Sequence, residues 1–573
     1  MKMQTVRAVF YFCLLRRAHT EIFDHAFEQD LERFIGKTME CRHIPGLTVS
    51  VVKDSETWTR GYGKADLSQG RMVDNTTLFN IRSVTKSFTM VLLGIMLTEK
   101  GLDWNAKVHD ILGPDYEFID EYRSKEMTLR DMLSHRTGLA RLDIGVFSGY
   151  PADITREKLS IKMKNLPQQL PFRDAFLYNN YMFMMLGHVA EKLGGDTWEK
   201  LVTSKVLRPL GMTSTRILKE PKNVLENGVA KPYIFKDNTF KNATLDIYSL
   251  HPCEPAGAIL STGEDMAKYI RFNLKAGFTE DGESLLDPGL LLDAFTTTTP
   301  TVDRAFLDSY FLTHPEFPVS DTPVGYGHAW FTSAYRGYRR IWHSGGLFSY
   351  ITHVWMFPDV NAGVYASVNG SALNKLPGYA IRTVLYYISD KLLGKEQWLN
   401  ETTTCEFPQL WRHKTTNSTP PEPLGKIQNP SEYSGYYGSH YLPGINVSAN
   451  VGDSSSLLFQ TNKFGGILHS TQDKDRFLMD TTSPWEFMTV FLDDNNVTKM
   501  INSTFVRNDD GVVQSLELQF EVKVVYSKGV SILNDVVSSQ ATATYLDKYQ
   551  LIMWTVLIRI MLGIGTYTLH LPK

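Results

Sequence analysis

FNIRSVTKSF, residues 79–88, sets Ser83 and Lys86 three positions apart at the head of a run that stays apolar through Leu97 and stops at Gly101. That pattern predicts a buried helix with a glycine stop, and on such a helix the two side chains fall on one face. A serine hydroxyl is a poor nucleophile until a base takes its proton, and a lysine can be that base once burial or a nearby cation favours its neutral form. The amides at the start of the helix point the same way, where a developing oxyanion would be stabilised. A Ser-x-x-Lys also arises by chance in a chain of this length, as a helix start with an exposed lysine. Its meaning therefore depends on what stands around it.

Two further segments give it company. In FLYNNYM, residues 176–182, Tyr178 and Asn180 form a Tyr-x-Asn pair just before another helical run. A phenol can relay protons and an amide side chain can hold a substrate carbonyl, although the same residues also suit an aromatic pair packing a helix start. In IWHSGGL, residues 341–347, a strand-like stretch ends in His343-Ser344-Gly345-Gly346. Paired glycines let a substrate lie against the strand edge and leave the Gly346 amide available as an oxyanion donor.

Around these motifs the chain reads as more than one domain, since 573 residues exceed a single core. Residues 46–52 alternate and are β-branched, a charged turn follows at 53–56, and 58–62 resumes as the return strand of a hairpin. Helical signals, punctuated by Gly138, Pro151, Gly194, Gly195 and Pro209, fill 102–272. Strand character returns at 339–343, 350–357 and 363–368, with a helical run at 379–393, so a sheet drawn from both ends of this domain is expected. After a polar, proline-rich linker at 415–423, short alternating strands at 445–451, 457–460, 487–491, 504–507 and 515–520 predict a small all-β barrel or sandwich.

The ordered triple of Ser83-x-x-Lys86, Tyr178-x-Asn180 and a strand-borne His343-x-Gly345 resembles the family of class C β-lactamases, penicillin-binding DD-peptidases and related esterases. Flanking segments agree: Ile44-Pro-Gly, residues 129–138 (LRDMLSHRTG), Pro209-Leu-Gly-Met212, Glu254-Pro-Ala-Gly-Ala258 and Tyr326-Gly-His-Ala-Trp330. The resemblance implies an α+β, β-lactamase/transpeptidase-like fold over residues 25–400, with an antiparallel sheet flanked by helices and an α-helical lobe. It implies that Ser83 forms an acyl-enzyme, that Lys86 and Tyr178 share the proton work, and that Asn180, His343, Ser344 and Gly345 bind substrate. The amides of Ser83 and Gly346 would form the oxyanion hole, and neither metal nor cofactor is required. His343 replaces the lysine of true β-lactamases, and an unperturbed histidine is mostly uncharged at neutral pH, so an esterase or peptidase is expected over an efficient penicillin hydrolase. Residues 425–535, entered by Tyr433-Ser-Gly-Tyr-Tyr-Gly438, resemble the lipocalin-like barrel appended to some peptidases of this family.

A formal net charge of −3 and an ordinary composition leave no footprint for nucleic acid, and the expected partner is a small ester, amide or peptide. Four cysteines (Cys13, Cys41, Cys253, Cys405) lack metal or redox spacing, and one bridged pair or free thiols both fit them. Eight Asn-x-Ser/Thr triplets, at Asn75, Asn242, Asn369, Asn400, Asn417, Asn446, Asn496 and Asn502, lean toward a secreted or membrane-attached glycoprotein. Residues 1–24 read as a short signal-like extension, with Arg16 and Arg17 where small cleavage-site residues belong. Residues 551–571 are apolar but interrupted by Arg559, and suit a membrane anchor, a tail removed on lipid attachment, or an amphipathic end helix. The competing reading is a secreted binding or matrix protein that keeps the fold without turnover. Oligomeric state is not legible.

Overall fold

A computed structural model describes residues 22–218, 228–236, 238–243, 246–301, 318–372, 377–408, 410, 425–482, 500–520 and 522–533. The signal-like start, the 415–423 linker, the strand expected at 487–491 and the 551–571 segment lie outside these residues, as do Cys13 and the triplets at Asn417 and Asn496.

The hairpin forms where expected, as β1 (Gly46–Lys53) and β2 (Glu56–Asp66). Its two-residue turn needs a left-handed residue, which Asp54 supplies at φ 53°. Seven further strands complete an antiparallel sheet: β3 (Arg71–Met72), β4 (Thr299–Pro300), β5 (Asp321–Tyr326), β6 (Phe331–Tyr335), β7 (Tyr338–Leu347), β8 (Tyr350–Phe357) and β9 (Ala362–Val368). Their order is β3-β2-β1-β9-β8-β7-β6-β5-β4, so β1 pairs directly with β9 and the two ends of the domain meet in mid-sheet. β5 and β6 carry no strong strand signal: β5 holds Pro323 and Gly325, residues poor in strands. β7 also runs past the expected stop at His343 to Leu347, through both glycines.

β1 is buried along both faces, because helices cover each side. Leu47, Val49 and Val51 join one apolar cluster with Leu31, Phe34 and Ile35 of α1 (His25–Arg42) and with residues of a C-terminal helix that includes Val384 and Ile388. A disulfide between Cys41 and Cys405 ties the end of α1 to the segment after that helix, and Cys253 is a buried free thiol. On the opposite face packs the helix Gly263–Leu274, whose Tyr269 stacks on Phe88 of α2 (Thr85–Lys100); α2 is buried throughout residues 85–97 and ended by Gly101 at φ 67°. With it packs the helical lobe, which contains α3 (Asp143–Ser148) and α4 (Asn180–Gly194) and is interrupted by short strands such as Ile259–Ser261. Asn369 is fully buried and its amide donates to the carbonyls of Lys64 and Lys231. That triplet is thus a structural asparagine, not a glycan acceptor.

Eight antiparallel strands between Gly435 and Lys528 close into a barrel. Aromatic and aliphatic side chains fill its interior, among them Tyr437, Phe477, Phe505 and Leu516, as expected of a barrel this narrow. Its loops rest on the lobe beside α3: Asn462 donates to the Gly149 carbonyl at 2.8 Å and Lys463 to the Ser249 carbonyl at 2.5 Å, while the Tyr150 hydroxyl donates to the Tyr441 carbonyl at 3.1 Å. No helix among the described residues is long and apolar enough to cross a membrane.

Candidate active site

The nucleophile candidate sits in a single 3-10 turn (Arg82–Val84) that feeds α2. Arg82 enters the turn at φ 50°, a left-handed conformation uncommon outside glycine, and its amide is held by the Asn80 side chain at 2.9 Å. One turn further on, Lys86 has no exposed surface. Its Nζ donates to Ser83 Oγ at 3.2 Å and to the Ala256 carbonyl at 2.8 Å, which gives the Glu254–Ala258 segment its local purpose. Burial holds the Lys86 ammonium well below the ordinary lysine range; the negative charge of Asp143 opposes this, while Arg82 and Arg141 reinforce it.

Tyr178 lies immediately before α4, whose N-cap Asn179 accepts from the Tyr181 amide and donates to the carbonyls of Leu139 and Ala140. This anchoring sets Tyr178 under Lys86, with Nζ 4.8 Å from the ring centroid and 5.3 Å from that of Phe183. Burial raises the Tyr178 pKa against the opposing influence of the Ser83 side chain, so the phenol stays protonated. Asn180, the first residue of α4, donates from Nδ2 to Asp143 Oδ1 at 2.7 Å. Asp143 is in turn bound by Arg141 Nε at 2.7 Å.

The third motif lies along β7. β6 pairs with β7 only over Tyr338–Trp342, so among the described strands none lines that edge from His343 to Leu347. Gly345 faces the nucleophile turn: a Cβ there would stand 2.0 Å from the Ile81 carbonyl oxygen and 3.0 Å from Arg82 Cβ. Gly346 is exposed beside it. His343 is 1% exposed, and both ring nitrogens are engaged inside the protein. Nδ1 lies 2.6 Å from the Ser344 carbonyl, which only accepts, so Nδ1 carries the hydrogen and Nε2 accepts from the Tyr326 hydroxyl at 3.0 Å. Burial, with the Lys86 charge nearby, lowers its pKa to about 3. The ring is neutral across the physiological range.

The structure therefore gathers Ser83, Lys86, Tyr178, Asn180, Gly345 and Gly346 around one cleft and turns the His343 side chain inward from it. Asp143 and Arg141 enter the site unannounced by sequence, because Asp143 acts through a hydrogen bond to Asn180, 37 residues on, and Arg141 acts through Asp143; Tyr326, first noted only within a flanking segment, enters through its bond to His343. Among the described residues no three His, Cys, Asp or Glu side chains come together to hold a metal.

Comparison with known proteins agrees with the fold. The Beta-lactamase family model matches residues 31–388. The unguisins hydrolase of Aspergillus campestris is 28% identical over 383 residues, covering 65% of this chain and 67% of the relative, and that of Aspergillus violaceofuscus is 26% identical over 63% and 64%. The alignments thus span about two thirds of each relative's own length. Penicillin-binding protein 4 of Amycolatopsis lactamdurans is 25% identical over 57% of this chain and 82% of its own. Among solved structures, the octameric penicillin-binding protein homologue from Pyrococcus abyssi superposes with a TM-score of 0.54 at 19% identity, over 87% of this chain and all of the other. D-amino acid amidase from Ochrobactrum anthropi gives 0.51 at 18%, over 64% and 98%. The family match covers more than half of the chain, and the protein belongs to the β-lactamase family of serine hydrolases.

Proposed function

We propose that the protein hydrolyses an ester or peptide-like amide through an acyl-enzyme on Ser83, with Lys86 as base. The observation that carries this reading is the Lys86 Nζ at 3.2 Å from Ser83 Oγ, in surroundings that favour the neutral amine. Lys86 takes the Ser83 proton as Oγ attacks the substrate carbonyl. The tetrahedral oxyanion is received by the amides of Ser83 and Gly346, at the start of the helical segment and on the unpaired edge of β7. As the carbon–heteroatom bond breaks, Tyr178 gives its proton to the leaving group and regains one from Lys86. Water then attacks the acyl ester, and Ser83 recovers its proton. Asn180, oriented by Asp143, binds the amide or ester beside the scissile bond. The neutral His343 holds Tyr326 and the end of β7 in place.

An extracellular or secretory location is part of the proposal. It is supported by the Cys41–Cys405 disulfide, which persists in oxidising compartments, and by the exposed asparagines Asn242, Asn400, Asn446 and Asn502, each heading an Asn-x-Ser/Thr triplet.

A fluorophosphonate probe should label the wild type at Ser83, with peptide mapping to confirm the site, and should leave Ser83→Ala unlabelled. Equal labelling of the two proteins, or none of the wild type, ends the claim. Turnover of short-chain esters, D-amino-acid amides or a chromogenic cephalosporin above the Ser83→Ala background separates hydrolysis from a binding-only role.

A further inference from the structure

Four arginines of the described chain are almost wholly buried: Arg42, Arg82, Arg123 and Arg340. Three are satisfied by the protein itself. Arg42 donates to the carbonyls of Thr404 and Phe407, Arg123 to those of Thr137 and Leu170 and to Asp120, and Arg340 pairs with Asp321 and Ser333. Arg82 differs. It is 4% exposed, its Nε and Nη1 are buried without any hydrogen bond, and no carboxylate of the described residues pairs with it. Its guanidinium lies 5.7 Å from the Tyr248 ring centroid. A buried cation without an acceptor is costly, and here the cost is borne next to the nucleophile, on a residue already in a left-handed conformation. Such a group persists where a ligand supplies the missing acceptor.

We infer that Arg82 is an anion-recognition residue of the cleft, selecting substrates that carry a carboxylate close to the scissile carbonyl. The inference deepens the hydrolase reading and rests on it. The other cations near the site do not fill this role: Lys86 serves as base, Arg141 is engaged by Asp143, and His343 is neutral and turned inward. The Arg82 charge lowers the pKa of both Lys86 and Tyr178, and the Arg82 Cβ faces Gly345 across the seam between β7 and the nucleophile turn. A planar guanidinium with free donors matches a carboxylate in a bidentate fork. Being one residue from Ser83, it reaches a carboxylate roughly two to four methylenes from the attacked carbon.

The test uses the full chain and matched nitrophenyl esters: the monoesters of succinate, glutarate and adipate against the neutral butyrate, pentanoate and hexanoate. In the wild type, kcat/KM at the best chain length is expected to favour the acid at least tenfold. In Arg82→Met that acid-to-neutral ratio should fall at least tenfold, whatever happens to the neutral rate, and Arg82→Lys should lie between. A wild type that does not prefer the acid, or a ratio unmoved in Arg82→Met, overturns the inference. Calorimetry on Ser83→Ala decides the matter without turnover and without an Arg82 variant that folds. Glutarate monoamide should bind at least tenfold tighter than pentanamide, and equal binding refutes the anion site. Absence of fluorophosphonate labelling would instead remove the hydrolase reading and leave this binding comparison standing.

Discussion

Gly345→Ala is the sharpest perturbation of the site, because it changes one methyl group at the seam between β7 and the nucleophile turn. The new Cβ would lie 2.0 Å from the Ile81 carbonyl oxygen, where a carbon–oxygen contact needs about 3.3 Å, so the seam must open by about 1.3 Å. Neither side yields easily. The Ile81 amide donates to the Ile259 carbonyl at 3.0 Å, and Gly345 pairs with Thr352 in β8. Opening the seam carries the Gly346 amide away from Ser83 by about the same distance, and a displacement near 1 Å costs about 100-fold in rate, equivalent to about 2.7 kcal/mol of transition-state stabilisation. Overpacking should also lower stability by about 1–3 kcal/mol. The assay is the second-order rate of fluorophosphonate labelling, with kcat/KM on a nitrophenyl ester and a thermal melt beside it. A folded Gly345→Ala protein that is labelled within threefold of the wild-type rate would refute the two-sided oxyanion site.

Two titration experiments follow from the same geometry. His343 titrates near 6.5 when unfolded and near 3 when folded, so between those values the unfolded chain binds a proton that the native one refuses, and stability falls as pH falls. At pH 5 the loss from this residue is about 2 kcal/mol relative to pH 7; His343→Gln should shrink the measured pH 7 to 5 loss by that amount in denaturant titrations, and an unchanged loss would contradict a neutral buried ring. Asp143 raises the Lys86 pKa by its charge, so Asp143→Asn should move the acid limb of the kcat/KM profile to lower pH. Asp143→Ala should in addition lower the plateau by about tenfold as Asn180 loses its anchor, and a limb that stays put in both variants would disconnect Lys86 from the rate.

The sequence carried the site's chemistry better than its support. Ser83 and Lys86 share a helix turn, and Tyr178 and Asn180 share a helix start, so local spacing alone brings each pair together. The hairpin and β7 to β9 were legible because their β-branched and aromatic residues cluster. β5 was hidden by its proline and glycine, and the continuation of β7 to Leu347 was hidden because Gly345 reads as a strand end until the Ile81 carbonyl beneath it is seen. Interactions that join distant segments leave no local trace: the Cys41–Cys405 bridge spans 364 residues, Asp143 reaches Asn180 across the lobe, and the Arg82 guanidinium is conspicuous only once the described residues around it are known to leave its Nε and Nη1 without an acceptor.

The pairing of β1 with β9 also sets an order of events during synthesis. The β1–β2 hairpin leaves the ribosome early, yet the strand that covers its inner edge, Ala362–Val368, is made some 300 residues later. At about 5–20 residues per second the nascent chain carries that uncovered, β-branched edge for about 15–60 seconds. An unpaired edge of this kind is a template for pairing with other chains. Neither the sheet nor the seam that aligns Gly345 with Ser83 can close before then, so the enzyme acquires its hydrolytic machinery only once the chain has been made as far as Val368, and holding that early hairpin apart from its neighbours becomes a requirement of producing it.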